Sequence, residues 1–177
     1  MKIKIVLNKN LTNNQKKIIN KARVKEFGKH AKKKFSKDYE PNTRWFFVCE
    51  KNKIVSFGGI RPVKIKYLEK TYKIGGICST ISLIKKKGYG KRMVKFMIDY
   101  SRKTGKTILG FTSKTKFFKK ANMKTKKDFI KRFVWIKPDG ERVYDNEGDG
   151  IYCEGKDKII SKILKTKKPV YIPILHW

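Results

Sequence analysis

Residues 75–90 have the sequence GGICSTISLIKKKGYG, and the local organisation of the chain is clearest here. The apolar part belongs to a predicted strand over residues 72–83, which ends in a basic loop containing Gly88 and Gly90. An amphipathic segment, residues 91–103, follows at once and predicts a helix. The first N–H groups of a helix have no intrahelical acceptor, and glycines leave neighbouring N–H groups accessible. The stretch therefore predicts a strand, an anion-binding loop and a helix, and a phosphate or pyrophosphate is the expected ligand.

The spacing within the loop indicates which kind of phosphate site this is. Neither G-x-x-x-x-G-K-[ST] nor a complete G-x-G-x-x-G is present. Residues 85–90, KKKGYG, instead resemble the [RQ]-x-x-G-x-[GA] pyrophosphate loop of the GNAT (general N-acetyltransferase) superfamily. Lys85 departs from the pattern, which has Arg or Gln at that position.

The resemblance extends beyond the loop. Residues 91–100 are similar to the cofactor helix of that superfamily, residues 107–113 to its fifth strand, and residues 117–123 to its "F-Y-x-K-x-G-F" helix. The resemblance implies an α+β fold with a mixed, mostly antiparallel sheet flanked by helices. We expect a single domain over residues 1–177, with a recognisable core over 1–123 and a C-terminal extension over 124–177 that matches no family pattern.

The resemblance also implies a cofactor, acetyl-CoA or another acyl-CoA. GNAT enzymes place the pyrophosphate on the loop, the thioester near the fourth strand, and the pantetheine arm between the fourth and fifth strands. Carried over to this sequence, the cofactor-binding residues are Ile77, Cys78, Ser79, Lys85, Lys86, Lys87, Gly88, Tyr89, Gly90, Lys91 and Phe118.

The family's usual general acid is a tyrosine, and Phe118 occupies its place. Phenylalanine cannot donate a proton, so another group acts, or water protonates the leaving thiolate, or catalysis has been lost. Ser113, at the end of the predicted fifth strand, is the nearest replacement by position. A backbone N–H near Ser79 is the expected donor to the carbonyl oxygen, and Glu50 is a candidate base alongside Asp128.

Cationic residues dominate the composition. The 177 residues include 47 Lys plus Arg against 14 Asp plus Glu, a formal charge of +33. A field of this strength favours a polyanionic partner, and we expect nucleic acid, DNA rather than RNA; an acidic protein partner and a role of the charge in solubility alone stay open. Scarce carboxylates argue against a cationic small-molecule acceptor, since few remain to line its pocket. An extruded base would also need aromatic side chains on which to stack. The candidates are Trp45, Phe46, Phe47, Phe117, Phe118 and Trp135.

Cysteine and histidine usage is sparse. Cys49, Cys78 and Cys153 are widely spaced and odd in number, which predicts reduced thiols, and no metal site is expected. Without a histidine nearby, Cys78 is interpreted as a core residue and not as a nucleophile. No apolar run reaches the length of a membrane span, so we expect no membrane partner and a cytoplasmic location.

Further elements follow from local patterns. Thr12 and Gln15 form a capping box that begins a basic helix over residues 13–35. Strands are expected over residues 1–7, 44–50, 54–65 and 128–136, with a turn at 138–140. A helix over 156–165 precedes a last strand over 169–175, expected to close the sheet at its far end.

The leading hypothesis is an acyl-CoA-dependent N-acyltransferase that modifies a nucleic acid, with a DNA base amine as the expected acceptor. Small size and strong basicity are loosely similar to the phage Mom family, GNAT-like enzymes that modify adenine in DNA. Two alternatives stay open: a protein N-acetyltransferase, and a catalytically silent GNAT fold that binds nucleic acid.

Overall fold

A computed structural model describes residues 1–173 of the chain, which form ten strands and five α-helices. The strands are β1 (Lys2–Leu7), β2 (Arg44–Glu50), β3 (Lys53–Tyr67), β4 (Lys70–Ser82), β5 (Ile108–Thr112), β6 (Lys124–Lys126), β7 (Phe133–Ile136), β8 (Arg142–Tyr144), β9 (Asp149–Cys153) and β10 (Val170–Ile172). The helices are α1 (Asn13–Phe27), α2 (Phe35–Asp38), α3 (Tyr89–Thr104), α4 (Thr115–Lys120) and α5 (Ile159–Leu164).

All ten strands belong to one sheet. The long strand β3 pairs along one edge with β4, while its other edge pairs first with β2 and then, near its end, with β10. Strands β5, β9 and β6 continue the sheet beyond β4, and β1 lies outside β2. The pairs β4–β5 and β7–β10 are parallel, and the other pairs are antiparallel. The predicted α+β fold with a mixed, mostly antiparallel sheet is therefore confirmed.

Strand β2 is buried on both faces because helices cover both sides of the sheet there. Trp45 and Phe47 point to the side of α1, and Phe46 and Val48 point to the side of α3. All four side chains are 0% exposed. The alternation of a strand thus divides one aromatic run between two packing layers.

Helix α1 begins as the sequence predicts. The Gln15 N–H donates to Thr12 Oγ1 at 3.2 Å, and the Thr12 N–H donates to Gln15 Oε1 at 2.9 Å, a complete capping box. The predicted extent to residue 35 is wrong, because the helix ends at Gly28, whose φ of +90° is incompatible with helix. Its end is placed beside the edge of β4, where the candidate site lies.

Helix α3 runs between two left-handed glycines, Gly88 and Gly105. Its buried face packs on the centre of the sheet through Met93 and Met97. A Cβ at Gly58 would lie 2.7 Å from the sulfur of Met93, so the absence of a side chain on β3 lets the helix approach closely. This contact fixes the helix that begins at the basic loop.

The segment after residue 123 completes the sheet. Strand β9 lies between β5 and β6. The predicted turn at residues 138–140 is present and joins β7 to β8. Within it, the Gly140 N–H donates to the Lys137 carbonyl at 2.9 Å. The strand predicted over 128–136 is shorter, because a 3-10 turn occupies Phe129–Arg132.

The placement predicted for the last strand is wrong. Strand β10 lies between β3 and β7 and is not at the far end of the sheet, because Val170 and Ile172 are both fully buried in the packing against α5. Its predicted end at Leu175 lies outside the described residues.

Two further findings concern the chain as a whole. Cys49, Cys78 and Cys153 are unbridged, and the first two are buried. Among residues 1–173, no helix has the length and apolarity needed to cross a membrane.

Candidate active site

Strands β4 and β5 diverge shortly after they meet. Their pairing is limited to Gly75 with Ile108 and Gly76 with Leu109. A β-bulge then bends β4: Phe57 of β3 pairs with Ile81 and Gly59 pairs with Cys78, so two residues of β4 oppose one of β3. A bulge bends the strand that carries it and increases its twist. Beyond Gly76, the described residues give β4 only β3 as a paired neighbour, and one edge of β4 is left open.

The gap between the diverging strands forms a cleft of about 550 Å³. One wall is the open edge of β4, the opposite wall is the end of β5, and α1 and α4 close the two sides. The lining residues are Arg23, Glu26, Phe27, residues 77–82, Lys85, residues 111–114, Phe117, Phe118 and Ile151.

Six of the residues predicted from the sequence meet in this cleft, namely Ile77, Cys78, Ser79, Lys85, Ser113 and Phe118. Lys86 and Lys87 lie exposed on the loop beside it, and Tyr89 and Gly90 are buried in the first turn of α3. Gly88 and Lys91 line a neighbouring groove.

Glu50 is not brought to the cleft. Its carboxylate accepts a hydrogen bond from the Tyr89 hydroxyl, and this bond raises the pKa of Tyr89. The pair joins the end of β2 to the first turn of α3, which is a positioning contact for the helix.

The basic loop presents its backbone to solvent. Gly88 has a φ of +74°, and a Cβ at this position would meet no atom within 4 Å. The N–H of Arg92 is the first in α3 to be satisfied, by the Gly88 carbonyl at 3.0 Å. Within residues 1–173, the N–H groups of residues 88–91 make no backbone hydrogen bond. The loop thus offers the unpaired donors that an anion requires.

A second groove, of about 360 Å³, lies on the other side of the loop. It runs beside α3, and cationic side chains make up much of its lining, from Lys91, Arg92, Lys95 and Arg102. The loop therefore separates a mixed cleft from a cationic groove.

The hydroxyl groups in the cleft differ in their partners. The Ser82 hydroxyl donates to the Ile84 carbonyl at 2.8 Å, and the Thr112 hydroxyl accepts from the Lys114 N–H at 3.0 Å. Ser79 lies at the bulge with a φ of +51°, and its hydroxyl contacts Arg23 and Tyr39.

Two hydroxyls in the cleft lack a protein partner within the described chain. The Ser113 side chain is exposed at the end of β5, and the Thr80 Oγ1 is buried in the wall without a hydrogen bond. A buried polar atom without a partner is unfavourable, so Thr80 is suited to a polar group of a ligand. Sequence reasoning missed Thr80, because a threonine in an apolar strand is an ordinary core residue.

Cys78 is a core thiol. Its side chain is buried, and burial raises its pKa to about 12. Since the thiolate is the nucleophilic form, a thiol of this kind is unreactive at neutral pH. The interpretation of Cys78 as a packing residue agrees with its surroundings.

Helix α1 contributes three cleft residues that sequence reasoning missed, Arg23, Glu26 and Phe27. They lie one turn apart on the helix face that begins with the buried Ile19 and Ala22. Their position one turn beyond the apolar residues Ile19 and Ala22 was the available signal, but the helix predicted to extend to residue 35 concealed where the helix ends.

An acidic cavity adjoins the cleft. It measures about 660 Å³ and shares Phe111, Thr112 and Ser113 with the cleft. Its carboxylates come from Asp128, Asp145, Glu147 and Asp149. The expectation that too few carboxylates remain to line a pocket is therefore wrong, because the fold gathers four of the 14 beside Ser113.

The aromatic residues proposed as stacking surfaces are mostly core. Trp45, Phe46, Phe47 and Trp135 are at most 1% exposed, and Phe118 is 6% exposed in the cleft wall. Phe117 is 39% exposed in the cleft, and Phe27, which was not among the proposed stacking surfaces, is 45% exposed there. The cleft thus carries two accessible phenyl rings.

Comparison with known proteins relates this arrangement to solved structures. No family model matches the sequence, and no curated protein is similar to it. An acyl-CoA N-acyltransferase from Pseudomonas aeruginosa aligns with a TM-score of 0.57 at 8% identity, over 86% of this chain and 97% of that protein. Tetrahymena GCN5 aligns with a TM-score of 0.52 at 16% identity, over 86% of this chain and 95% of that protein.

A third structure is longer than this chain. A probable N-acyltransferase from Enterococcus faecalis aligns with a TM-score of 0.55 at 13% identity, over 73% of this chain. The chain spans 33% of the length of that protein. At these identities the similarity shows the fold, and the chain has the GNAT fold that residues 75–123 led us to expect.

Proposed function

We propose that this protein is an acyl-CoA-dependent N-acyltransferase. The observation that carries the proposal is the divergence of β4 and β5 at the Ser79 bulge, directly before a basic loop with unpaired N–H groups. This combination provides an open strand edge for an extended ligand and an anion site at its end. Structural neighbours with the same fold are described as N-acyltransferases.

The residues present suit acyl-CoA, which supplies an activated acyl thioester when it is bound. The N–H groups of residues 85–91 would hold the diphosphate, assisted by the exposed Lys86 and Lys87. The open edge of β4 and the unpartnered Thr80 Oγ1 would hold the amide-containing arm. The cationic groove beside α3 offers Lys91 and Arg102 to further phosphate charge.

The chain's own groups can manage the proton chemistry in the cleft. Phe118 lines the cleft and cannot donate a proton, whereas the Ser113 hydroxyl lines the same cleft and is exposed. Ser113 is therefore the proposed proton relay: its hydroxyl donates to the leaving thiolate as the C–S bond breaks, and it takes up the proton that the attacking amine loses as the C–N bond forms. Ser79 lies at the bulge of β4 and lines the cleft, and its N–H is the proposed donor to the thioester oxygen.

The proposed acceptor is an amine of a nucleic acid base, with DNA favoured over RNA. The +33 charge supports a polyanionic partner, and lysines such as Lys86, Lys87 and Lys116 lie exposed around the cleft. Phe27 and Phe117 provide accessible rings on which an extruded base can stack. The similarity in type to the phage Mom family stays a prediction.

A protein amine is the second candidate acceptor, and the acidic cavity favours it. An ammonium group that approaches Ser113 from this side would meet carboxylates such as Asp145 and Glu147. Opposite charges within a few ångströms attract it and would hold the acceptor beside the cleft.

Ligand-dependent thermal unfolding tests the cofactor site. Acetyl-CoA at about 100 times its dissociation constant should stabilise the folded protein by roughly 2.7 kcal/mol and raise the melting temperature. Desulfo-CoA, which keeps the phosphates, should do the same. Absence of a shift with both ligands would contradict the proposal.

Mass spectrometry identifies the acceptor. Purified protein is incubated with acetyl-CoA and either single-stranded DNA, RNA or a lysine-containing protein mixture, and nucleosides or peptides are then analysed. An acetylated nucleoside supports the first candidate, and acetylated peptides without altered nucleosides support the second. Acetyl-CoA binding without any product would support the silent binding module.

A further inference from the structure

The carboxylate of Glu26 bridges the two sides of the cleft. One oxygen lies 3.0 Å from Lys85 Nζ and the other lies 2.8 Å from Lys114 Nζ. Lys85 begins the basic loop after β4, and Lys114 directly follows Ser113 after β5. One side chain of α1 therefore connects the two chain segments that the strand divergence separates.

Of the four lysines within residues 85–91, the bridge engages Lys85. In the described part of the chain, Lys85 is paired with a carboxylate, whereas Lys86, Lys87 and Lys91 have no ion pair. The two hydrogen bonds, first from Lys114 and then from Lys85, lower the pKa of Glu26. Glu26 thus remains an anion at neutral pH, located where two cations face the cleft.

We propose that Glu26 is a specificity-determining residue for the anionic ligand: its carboxylate occupies Lys85 and Lys114 as an internal anion that a diphosphate must replace. The inference rests on the proposed function in one respect, because it takes the diphosphate of acyl-CoA as the natural competitor.

The geometry explains why a diphosphate is suited to this exchange. A ligand that reaches one lysine leaves Glu26 paired with the other, and the carboxylate stays in place as a repulsive charge. Two linked phosphoryl groups can take both lysines at once, so both ammonium groups keep an anionic partner. Glu26 has a quarter of its side chain exposed and can then turn to solvent. The carboxylate therefore weakens the binding of every anion here, and weakens the binding of a single phosphate most.

Titration calorimetry with CoA, pyrophosphate and orthophosphate tests the inference on three proteins: wild type, Glu26→Gln and Glu69→Gln. Glu69 is 91% exposed at the turn between β3 and β4, so its substitution changes the net charge equally at a site outside the cleft. We expect Glu26→Gln to bind CoA and pyrophosphate about 3- to 10-fold more tightly than Glu69→Gln, the range expected when one or two exposed ion pairs no longer compete. Orthophosphate should gain more than pyrophosphate, so the preference for pyrophosphate falls in Glu26→Gln, and an unchanged preference would contradict the role of Glu26 in specificity.

A double-mutant cycle covers the case in which Glu26→Gln perturbs the fold. Lys114→Gln removes one bridged cation, and the gain from Glu26→Gln should be smaller in the Lys114→Gln background than in wild type. Equal gains in both backgrounds would overturn the inference, as would equal or weaker binding by Glu26→Gln relative to Glu69→Gln. If wild type binds pyrophosphate but not CoA, the proposed cofactor fails while the Glu26 comparison still holds. If wild type binds none of the three anions, both fail.

Discussion

The hydroxyl of Tyr39 lies 3.2 Å from the hydroxyl of Ser79. Ser79 is the left-handed residue of the bulge that separates β4 from β5, and Arg23 contacts the same hydroxyl from α1. Tyr39 is anchored in turn, with its ring edge-on to Trp45 at a centroid distance of 5.1 Å. The irregular strand that opens the cleft is therefore held by hydrogen bonds from the layer that packs above it.

Tyr39→Phe tests this support. The substitution keeps the ring on Trp45 and removes the hydroxyl, so it should lower the free energy of unfolding by about 1 kcal/mol in urea denaturation. Burial raises the pKa of Tyr39 to about 12, so the loss should be the same from pH 6 to 9. Tyr144→Phe is the control, because Tyr144 is 61% exposed and its change should stay within about 0.5 kcal/mol. Equal losses in the two variants would contradict the role of Tyr39.

The first half of the fold could be predicted from the sequence because its signals are local. The capping box at Thr12, the continuous apolar run of β2 and the left-handed Gly88 each depend on residues within a few positions. The divergence of β4 and β5 was expected from the family resemblance, but the residue that causes it was not. A positive φ at Ser79 has no local sequence signature, since serine is not a typical left-handed residue.

The parts that could not be predicted depend on distant contacts. Arg23 and Glu26 reach the cleft because α1 ends at Gly28 beside β4, which requires knowing where the helix packs. The short apolar strand β10 was expected at an edge, but it is central because α5 and β7 bury it. The acidic cavity combines Asp128 with Asp145 and Asp149, which are separated in sequence by a hairpin.

Gly88→Glu should abolish binding of CoA. It introduces bulk and a negative charge among the N–H groups of the loop, and the affinity measured by calorimetry should fall more than 10-fold. Gly140→Glu is a matched control: Gly140 has a φ of +85°, and a Cβ there also meets no atom within 4 Å. The two variants share the backbone strain and the charge change, so they should lose similar stability. Retained CoA binding by Gly88→Glu would refute the placement of the diphosphate on this loop.

Glu40 should contribute a pH-dependent part of the stability. Its carboxylate accepts two hydrogen bonds from the nearly buried Arg61, at 2.6 and 3.0 Å. Burial is the largest single influence and acts to raise the pKa of Glu40, but the hydrogen bonds and charge of Arg61, together with hydrogen bonds from the backbone and Thr43, hold this pKa below its ordinary value of 4.5. A carboxyl whose pKa is lower in the folded state stabilises the protein above its unfolded pKa, and this contribution is lost as the pH falls through the folded value.

Glu40→Gln isolates that contribution. At pH 7 we expect a loss of about 1–3 kcal/mol in the free energy of unfolding, because the substitution leaves Arg61 without its charged partner. The difference from wild type should shrink as the pH is lowered below 4.5. Urea denaturation at pH 7, 5 and 3.5 provides the measurement, with the exposed Glu69→Gln as the control. A difference that is constant across this range would rule out the ion pair as its source.

Ser113 and Phe118 together test how the leaving group is protonated. Ser113→Ala should lower kcat by roughly 100-fold or more, the usual contribution of a positioned general acid, while the affinity for CoA stays unchanged. Phe118→Tyr adds a phenol to the same cleft, at the position where the family pattern has tyrosine. If proton donation is what Ser113 supplies, Phe118→Tyr should restore much of the lost kcat in the Ser113→Ala background. The exposed Ser36→Ala serves as the control. A normal kcat in Ser113→Ala would remove this hydroxyl from the mechanism, and a lowered kcat that the phenol does not restore would indicate that Ser113 acts by positioning and not as the acid.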